Sequence, residues 1–270
     1  MLGQKMKIPR ALTIAGSDSS GGAGIQADLR TFSALGVYGT SAVTALTSQN
    51  TQGVNGIVEV GPDFVSSQIR SVVLDIGVDA VKTGMLSNAA VISRVSSDLK
   101  ELKLEKVVVD PVMVATSGDR LLNADAIEAL VSQLFPIVLI ITPNLQEAEV
   151  LSGMRVECAD DMKRAAVKLR GLGPKYVVIK GGHLPGSPMD LLWDGRNFCE
   201  YVGVRYQTPN THGTGCTFAS AIAAFLARGL SVEDAVGKAK TYITGAIARG
   251  LPLGLGHGPV HHFHEFYVFK

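Results

Sequence analysis

This 270-residue sequence contains few cysteines and has almost no excess of charge of either sign. The three cysteines, Cys158, Cys199 and Cys216, are few, widely spaced and odd in number, which fits neither a disulfide framework nor a zinc site. We therefore predict free thiols. Lysine and arginine number 25 and aspartate and glutamate 24, and the resulting net charge of +1 provides no overall field for binding nucleic acid.

Long apolar runs are also missing. No run approaches the roughly 20 residues of a membrane span, and residues 1–7 lack the apolar core of a signal peptide. We therefore expect a cytoplasmic protein with no membrane partner. Internal repeats, charge runs and low-complexity linkers are absent, and 46% hydrophobic residues suffice for a large core. These features predict a single domain over residues 1–270.

Strand and helix patterns alternate along the chain. Strands are predicted at 12–16, 36–50, 79–86, 106–113, 137–144 and 176–183, and helices at 25–35, 63–75, 88–99, 125–134, 145–151, 160–169, from about 215 and from about 232. The strands are continuous apolar runs, which is typical of a parallel sheet covered on both faces. The sequence therefore predicts an α/β fold with a mostly parallel central sheet, and a hairpin over 189–206 that turns at Asp194 and Gly195.

Polar side chains follow several of the predicted strands. Asp18, Asp110, Thr142, Asn144 and Lys180 are each among the first strongly polar residues after a buried strand. Any one of them could be a turn former or a helix cap. Ligands of such sheets bind beyond the carboxyl ends of the strands, so together these residues predict a site along one edge.

A second candidate feature is the stretch 208–228, TPNTHGTGCTFASAIAAFLAR. Its pattern predicts a helix that begins near Gly215, and the unpaired amides and positive dipole end of a helix start suit phosphate. Gly213 and Gly215 would let the backbone approach a ligand. Cys216, in the same field, is expected to have a lowered thiol pKa. The alternative is a tight turn with a buried cysteine behind it.

A phosphate-binding helix start, a lysine and several carboxylate or amide groups are the components of phosphoryl transfer. The motif GxxxxGK[ST] is absent, which excludes the P-loop kinases. Asp110, Asn144 and Glu147 carry oxygen atoms suited to Mg²⁺. Asn144 and Glu147 are three residues apart and so share a helix face, although Glu147 could equally be a cap or a solvated residue.

Eight segments, in this order, resemble the bacterial hydroxymethylpyrimidine/phosphomethylpyrimidine kinases of thiamin biosynthesis, which belong to the ribokinase-like superfamily. The segments are AGSDSSGGAGIQADLRTF, TSQNTQGV, KTGML, DPVMVATSGDRLL, TPNLQEAE, KGGH, NTHGTGCT and GPVHHFH, and the resemblance spans residues 11–264. It implies a ribokinase-like fold and ATP-dependent phosphorylation of 4-amino-5-hydroxymethyl-2-methylpyrimidine, then of its monophosphate to the diphosphate. It also implies Mg²⁺ as a cofactor and a homodimer.

The resemblance assigns residues to a substrate pocket. Gln49 would read the pyrimidine, because its amide can donate and accept hydrogen bonds at once. The other residues implied to line the pocket are Gly16, Ala23, Asp28, Met85 and Val112. Residues 112–122 would form a lid, in which Thr116 stands where bacterial relatives often have lysine.

The resemblance also assigns catalytic, nucleotide-binding and metal residues. Asn144 and Glu147 match an NxxE element that positions Mg²⁺ largely through water, and the oxygen donor Asp110 remains a further candidate ligand. ATP phosphates would be held by Lys180 and by the amides of Gly213, Thr214, Gly215 and Cys216. Cys216 would be catalytic, at the position where many superfamily members have an aspartate general base.

Three questions stay open at this point. His212 could assist Cys216 by proton transfer or be a loop histidine satisfied by backbone. His261, His262 and His264 resemble a metal cluster, but their strand-like spacing favours a packing or interface segment. The chain could instead be a pyridoxal kinase of the same fold, or a non-catalytic nucleotide-binding regulator, which the full set of site residues disfavours.

Overall fold

A computed structural model describes residues 7–113 and 122–269 of the chain. Within them a nine-stranded sheet runs in the order β3-β2-β1-β4-β5-β6-β7-β8-β9. The strands are β1 (Arg10–Ser17), β2 (Tyr38–Gln49), β3 (Val54–Glu59), β4 (Ala80–Thr83), β5 (Val107–Val109), β6 (Ile140–Ile141), β7 (Tyr176–Gly181), β8 (Met189–Trp193) and β9 (Phe198–Val202). The predicted lid residue Thr116 and most of the predicted lid lie outside the described residues.

The sheet is mostly parallel, as predicted. Strands β2, β1, β4, β5, β6 and β7 pair in parallel, whereas β3 at one end and β8 and β9 at the other pair antiparallel. The predicted hairpin is β8–β9, and its turn has Gly195 at φ 96° and Asp194 accepting bonds from the amides of Arg196 and Asn197. Strand β3 was not predicted, because its mostly exposed sequence VNGIVE lacks an apolar run.

Eight α-helices cover the sheet within the described residues, and none of them combines the length and hydropathy of a membrane span. They are α1 (Gly24–Ala34), α2 (Pro62–Asp75), α3 (Ala89–Glu101), α4 (Ala124–Ala129), α5 (Leu145–Ser152), α6 (Ala159–Arg170), α7 (Thr214–Ala227) and α8 (Val232–Ala248). Helix α4 continues as a π-helical turn over Leu130–Leu134 and a 3-10 turn over Phe135–Ile137.

Two hydrophobic cores lie on opposite faces of the sheet. Successive side chains of a strand point to opposite faces, and in β5 Val107 and Val109 join one core while Val108 joins the other. Helices α2 to α6 pack in the first core and α1, α7 and α8 in the second. This confirms the predicted α/β architecture with helices on both faces.

Helix α7 lies deep in the second core. It is rich in alanine, and from Thr217 to Ala227 every residue is buried, as is typical of a helix that is apolar all round. Its first turn, in contrast, is only partly buried. The first turn of α7 is therefore more exposed than the rest of the helix, and it lies at the edge of the sheet that holds the candidate site.

Candidate active site

The carboxyl ends of five neighbouring parallel strands, β1, β4, β5, β6 and β7, meet at one edge of the sheet. Polar residues follow these strands, and hydrogen bonds between neighbouring strand ends place those residues side by side. Asp110 donates its backbone N–H to Thr83 O at 3.0 Å, and Lys180 donates its own to Pro143 O at 2.8 Å. Asn144 pairs with Lys180 in an isolated parallel bridge. The structure thus brings together predicted site residues that are far apart in the chain.

An ion pair between Lys180 and Asp110 forms the centre of this edge. Lys180 Nζ lies 2.7 Å from Asp110 Oδ1, and the Asp110 side chain is 3% exposed. Thr142 Oγ1 donates to the same carboxylate oxygen at 3.3 Å. Burial alone would lower the pKa of Lys180, but the charges of Asp110 and Glu147 outweigh burial and raise it. The lysine therefore keeps its positive charge although it is largely enclosed.

Glu147 has a local structural role. Its Oε2 accepts the backbone N–H of Asn144 at 2.8 Å, and Asn144 Oδ1 accepts that of Glu147 at 2.9 Å, which is a capping box at the start of α5. Burial raises the pKa of Glu147 to about 7, with Asp110 acting in the same direction and Lys180 against it. The capping role that the sequence analysis considered for Glu147 is therefore present. The carboxylate also lies close enough to Asp110 for the charge of Asp110 to raise its pKa.

The start of α7 has the glycine backbone that the sequence predicts. Gly213 caps the helix with φ 79°, in the left-handed region that favours glycine. A Cβ at Gly215 would lie 3.2 Å from Lys180 Nζ, so the helix start packs directly on the ion pair. Thr214 differs from the prediction, because its amide donates to Thr211 O at 3.2 Å and its hydroxyl to the same oxygen at 2.6 Å. Both donors are already in use.

Cys216 lies on this first turn, but its predicted pKa shift is wrong in direction. Burial raises the pKa of the thiol to about 11, because the favourable charge of Lys82 is weaker than burial together with the charges of Asp28 and Asp110. In this structure the thiol is therefore protonated at neutral pH.

Asp28, which was predicted to line the pocket, has its carboxylate enclosed in an ion pair with Lys82. Both Asp28 and Lys82 have side chains that are 0% exposed, and Lys82 Nζ lies 2.9 and 2.8 Å from the two carboxylate oxygens of Asp28. Thr13 and Ser220 donate to the same carboxylate at 2.6 and 2.5 Å. Helix α1 therefore directs Asp28 beneath the site. The sequence signal for this cluster was a lysine inside the apolar strand AVKT.

Asp18 and His212 form a second pair that the sequence analysis did not find. His212 Nε2 donates to Asp18 Oδ2 at 2.8 Å, and both residues are buried. The sequence suggested that Asp18 is a free carboxylate that faces a ligand at a strand end. In the structure its carboxylate is instead bonded to His212. The question left open for His212 is answered in part, because its ring binds a carboxylate and not the backbone.

Most of the remaining predicted pocket residues lie around β1 and its neighbours β2 and β4, whereas Val112 follows β5. Gly16 donates its N–H to Met85 O at 3.2 Å, and a Cβ at Gly16 would lie 3.1 Å from Met85 Cε. Ala23 caps helix α1, and Val112 donates its N–H to Asp110 O at 2.8 Å. Gln49 ends β2, half-buried, where its backbone exchanges hydrogen bonds of 2.7 and 2.8 Å with the Ser19 hydroxyl.

The three histidines near the end of the chain are buried and hydrogen-bonded inside the protein. The ring of His262 is bonded to Thr217 Oγ1 at 3.1 Å, that of His261 to Tyr267 O at 3.0 Å and that of His264 to His261 O at 3.1 Å. The segment consists of turns and not of the strand that the sequence suggested. It packs against the start of α7.

The fold and the site together define a class of enzyme. A parallel sheet whose strand ends collect a buried lysine–aspartate pair beside a glycine-bounded helix start is suited to phosphoryl transfer. A model of the family described as phosphomethylpyrimidine kinase matches residues 18–261, and the chain belongs to this family. The chain is therefore a kinase with a ribokinase-like fold.

Three similar proteins illustrate this membership. The thiamine biosynthesis bifunctional protein ThiED of Geobacter sulfurreducens is 50% identical over 97% of this chain, which spans only 54% of that protein's length. The hydroxymethylpyrimidine/phosphomethylpyrimidine kinase of Rhizobium meliloti is 48% identical over 95% of this chain and 98% of its own. The crystal structure of an ADP complex of Bacillus subtilis pyridoxal kinase has a TM-score of 0.88 and 42% identity, with 95% and 98% of the chains covered.

Proposed function

We propose that this kinase transfers a phosphoryl group from ATP to 4-amino-5-hydroxymethyl-2-methylpyrimidine and then to the resulting monophosphate, in thiamin biosynthesis. Its family and the names of its relatives support this substrate class. The observation that carries the proposal is the buried Lys180–Asp110 pair, 2.7 Å apart and packed on Gly215 at the start of α7. It supports the proposal because the charged Lys180 lies beside a helix start of the kind that suits an anion.

Lys180 and the first turn of α7 are the groups that would hold the ATP phosphates. Preorganised donors in a site that excludes water stabilise charge on a transferring group without reorganising. The amides of Gly213, Gly215 and Cys216 supply such donors, and Thr214 would have to release Thr211 O before it could contribute. Phosphoryl transfer depends mainly on this positioning and electrostatic stabilisation.

Mg²⁺ fits the donor set of the site. Asp110 and Glu147 bring two carboxylates into a buried space shared with one lysine, and the charge of Asp110 raises the cost of charging Glu147. A divalent cation relieves such repulsion, and Mg²⁺ commonly uses only one or two protein carboxylates and keeps several waters. Asp110 and Glu147, with Asn144 nearby, would hold the ion, which when bound would neutralise charge on the phosphates.

The substrate would bind at the β1 side of the edge. Gln49 would pair with the aminopyrimidine edge, since its amide both donates and accepts. Gly16, Ala23, Met85 and Val112 would supply the close and apolar contacts around the ring, in accord with their positions beside the strand ends. Asp28 would border this pocket from beneath, where Lys82 encloses its carboxylate.

The thiolate form of Cys216 is proposed as the group that takes up the substrate hydroxyl proton. A loose transition state needs little early proton removal, so the gain is expected at the low end of about 10² to 10⁴ in rate. Because the pKa of the thiol is raised to about 11, kcat should rise with pH across the alkaline range. Cys216→Ser should lose this rise and about 10²-fold in turnover. Full turnover in Cys216→Ala at every pH would mean that the thiol only packs.

The substrate assignment is tested by a coupled ADP-release assay with the pyrimidine, its monophosphate and pyridoxal. We expect kcat/KM to be highest for the pyrimidine compounds. The second candidate, a pyridoxal kinase, is favoured by the 42% identity and TM-score of 0.88 to the Bacillus subtilis pyridoxal kinase. Dominant turnover of pyridoxal would establish it. ATP binding without turnover of any of the three would indicate a regulator.

We also propose that the protein is a cytoplasmic homodimer. The proposal follows from the family resemblance, and exposed apolar side chains on and beside the edge strand β3, such as Val58 at 66%, are available for a partner copy. Sedimentation equilibrium over a range of concentrations gives the oligomeric state. A single species of 28.4 kDa would contradict the dimer.

A further inference from the structure

Two loops meet where helices α1 and α7 begin. The first, residues 18–23, joins β1 to α1 and is called here the substrate loop. The second, residues 211–216, consists of the residues before α7 and the first turn of that helix, and is called the anion loop. His212 of the anion loop donates from Nε2 to Asp18 Oδ2 of the substrate loop at 2.8 Å, across 194 positions of sequence. The proposed roles of the site residues leave this buried pair without a function.

Backbone packing joins the same two loops. A Cβ at Gly22 would overlap the ring of His212, and a Cβ at Gly213 would overlap the carbonyl oxygen of Gly22. Each glycine therefore lets its loop touch the other without a side chain between them. A shift of one loop relative to the other would break these contacts together.

The carboxylate of Asp18 organises the substrate loop from within. It accepts the N–H of Ser20 at 2.8 Å, the hydroxyl of Ser20 at 2.7 Å and the N–H of Ala23 at 2.8 Å. Burial alone would raise the pKa of Asp18, but the hydrogen bonds from His212, Ser20 and Ala23 outweigh burial and lower it to about 2. The carboxylate is thus charged at neutral pH and holds its own loop and His212 at the same time.

The backbone of His212 is held from the opposite side. Its N–H donates to Gly258 O at 3.0 Å, and its carbonyl oxygen accepts the N–H of Val260 at 3.3 Å. The ring is therefore oriented by the C-terminal segment behind it and by Asp18 in front. A residue fixed in this way is suited to hold a neighbouring backbone in place.

We propose that His212 is a positioning residue that, through Asp18, sets the distance between the anion loop and the substrate loop. The inference rests on the proposed kinase function, because that function assigns the ATP phosphates to the anion loop and, through Ala23, part of the pyrimidine pocket to the substrate loop. Transfer requires the reacting atoms to approach within about 3–3.5 Å, and a misplacement of about 1 Å can cost about 10²-fold in rate. The pair therefore acts on the rate of transfer more than on the affinity for either ligand.

The test compares His212→Ala, His212→Gln and the control His257→Ala, which removes an exposed loop histidine bonded to Pro209 O at 3.1 Å. Steady-state kinetics should give a kcat about 10²-fold lower for His212→Ala, with either KM changed by less than about three-fold. His212→Gln should recover most of kcat, because its amide N–H can donate near the position of Nε2. His257→Ala should match the wild type.

Several results would overturn the proposal. If His212→Gln is folded and as slow as His212→Ala, His212 acts by proton transfer, which an amide cannot perform. Wild-type turnover in His212→Ala, or a rise in both KM values with kcat unchanged, also contradicts it.

Hydrogen exchange on the unliganded protein gives a readout that needs no substrate. Exchange in residues 211–216 should be faster in His212→Ala than in His212→Gln, and unchanged in His257→Ala. If no substrate is turned over by the wild type, the proposed function fails, and exchange still tests the pair. Equal exchange in both His212 variants and the wild type would overturn the positioning role.

Discussion

Lys82 is a charged residue in a place without water, and its only charged hydrogen-bond partner among the described residues is Asp28. Burial would lower the pKa of this lysine, but Asp28 and the other nearby negative groups outweigh burial and raise it. Buried ion pairs contribute little net stability compared with apolar replacements, yet removal of one partner leaves the other charge uncompensated. Substitution of either residue of this pair is therefore expected to destabilise the protein beneath the site.

We expect Lys82→Met to lower the free energy of unfolding by about 3–5 kcal/mol, because the Asp28 carboxylate stays buried without its cation. The double variant Lys82→Met with Asp28→Leu should regain part of this loss. Urea denaturation measures both. Lys7→Met is a matched control, because Lys7 is 81% exposed and lies 3.6 Å from Asp79, and it should change stability by less than about 1 kcal/mol. A similar small effect of Lys82→Met would contradict the prediction.

A substitution at Gln49 tests the proposed pyrimidine-binding part of the site. Gln49→Leu should weaken binding of the hydroxymethylpyrimidine by about 1–3 kcal/mol, since polar edges of the ligand would be left unpaired. ATP affinity should stay nearly unchanged. Calorimetric titration of each ligand gives the two affinities, and Gln52→Leu, at an exposed position, is the control. Equal losses for ATP and pyrimidine would mean that Gln49 is structural.

At the scale of an element, helix α5 shows how one residue can cap a helix and also face a site. The capping box needs an acceptor at Glu147, and an amide can replace the carboxylate in that role. Metal binding needs the charge. Glu147→Gln therefore separates the capping role of this residue from its proposed role in metal binding.

The pH dependence of stability follows from the buried carboxyl of Glu147. Its pKa is raised from 4.5 to about 7, so the folded protein keeps a proton that the unfolded chain has lost. The stabilising contribution is complete below about pH 4.5 and is lost as the pH rises through about 7. We expect Glu147→Gln to be more stable than the unliganded wild type at about pH 8, and less active with Mg²⁺. Thermal melts across this range check the first point, and parallel curves for the two proteins would contradict it.

For the whole molecule, one sheet is shared by the two cores, and both cores include residues of β1, β4, β5, β6, β7 and β8. Neither layer of helices can lose its packing without exposing strands that the other layer also covers. We therefore keep the prediction of a single domain over residues 1–270.

A single domain predicts one cooperative unfolding transition. Calorimetric and van't Hoff enthalpies should agree, and fluorescence and circular dichroism should give the same midpoint, if no ligand is present and the oligomeric state does not change. ATP should raise the midpoint, because a ligand that binds only the native state stabilises it. Two separate transitions would indicate independent units.

The sequence by itself determined the alternation of elements and the place of the site. Apolar runs, helix periodicity and glycine positions are local patterns, and the rule that ligands bind at the carboxyl ends of parallel strands then locates Asp110, Asn144 and Lys180. The start of α7 was found from the same local signals, one residue from its position in the structure. Strand β3 was missed, because an exposed edge strand has no apolar run to reveal it.

Only the tertiary structure decided which polar groups are partners and what their surroundings do to them. Asp28 meets Lys82 across 54 positions and Asp18 meets His212 across 194, and no local pattern encodes contacts at such separations. The Cys216 thiol shows the same limit, because its place at a helix start predicts a lowered pKa, whereas burial beside Asp28 and Asp110 raises it. Desolvation and charge act through space, and so depend on the folded neighbours and not on the order of residues along the chain.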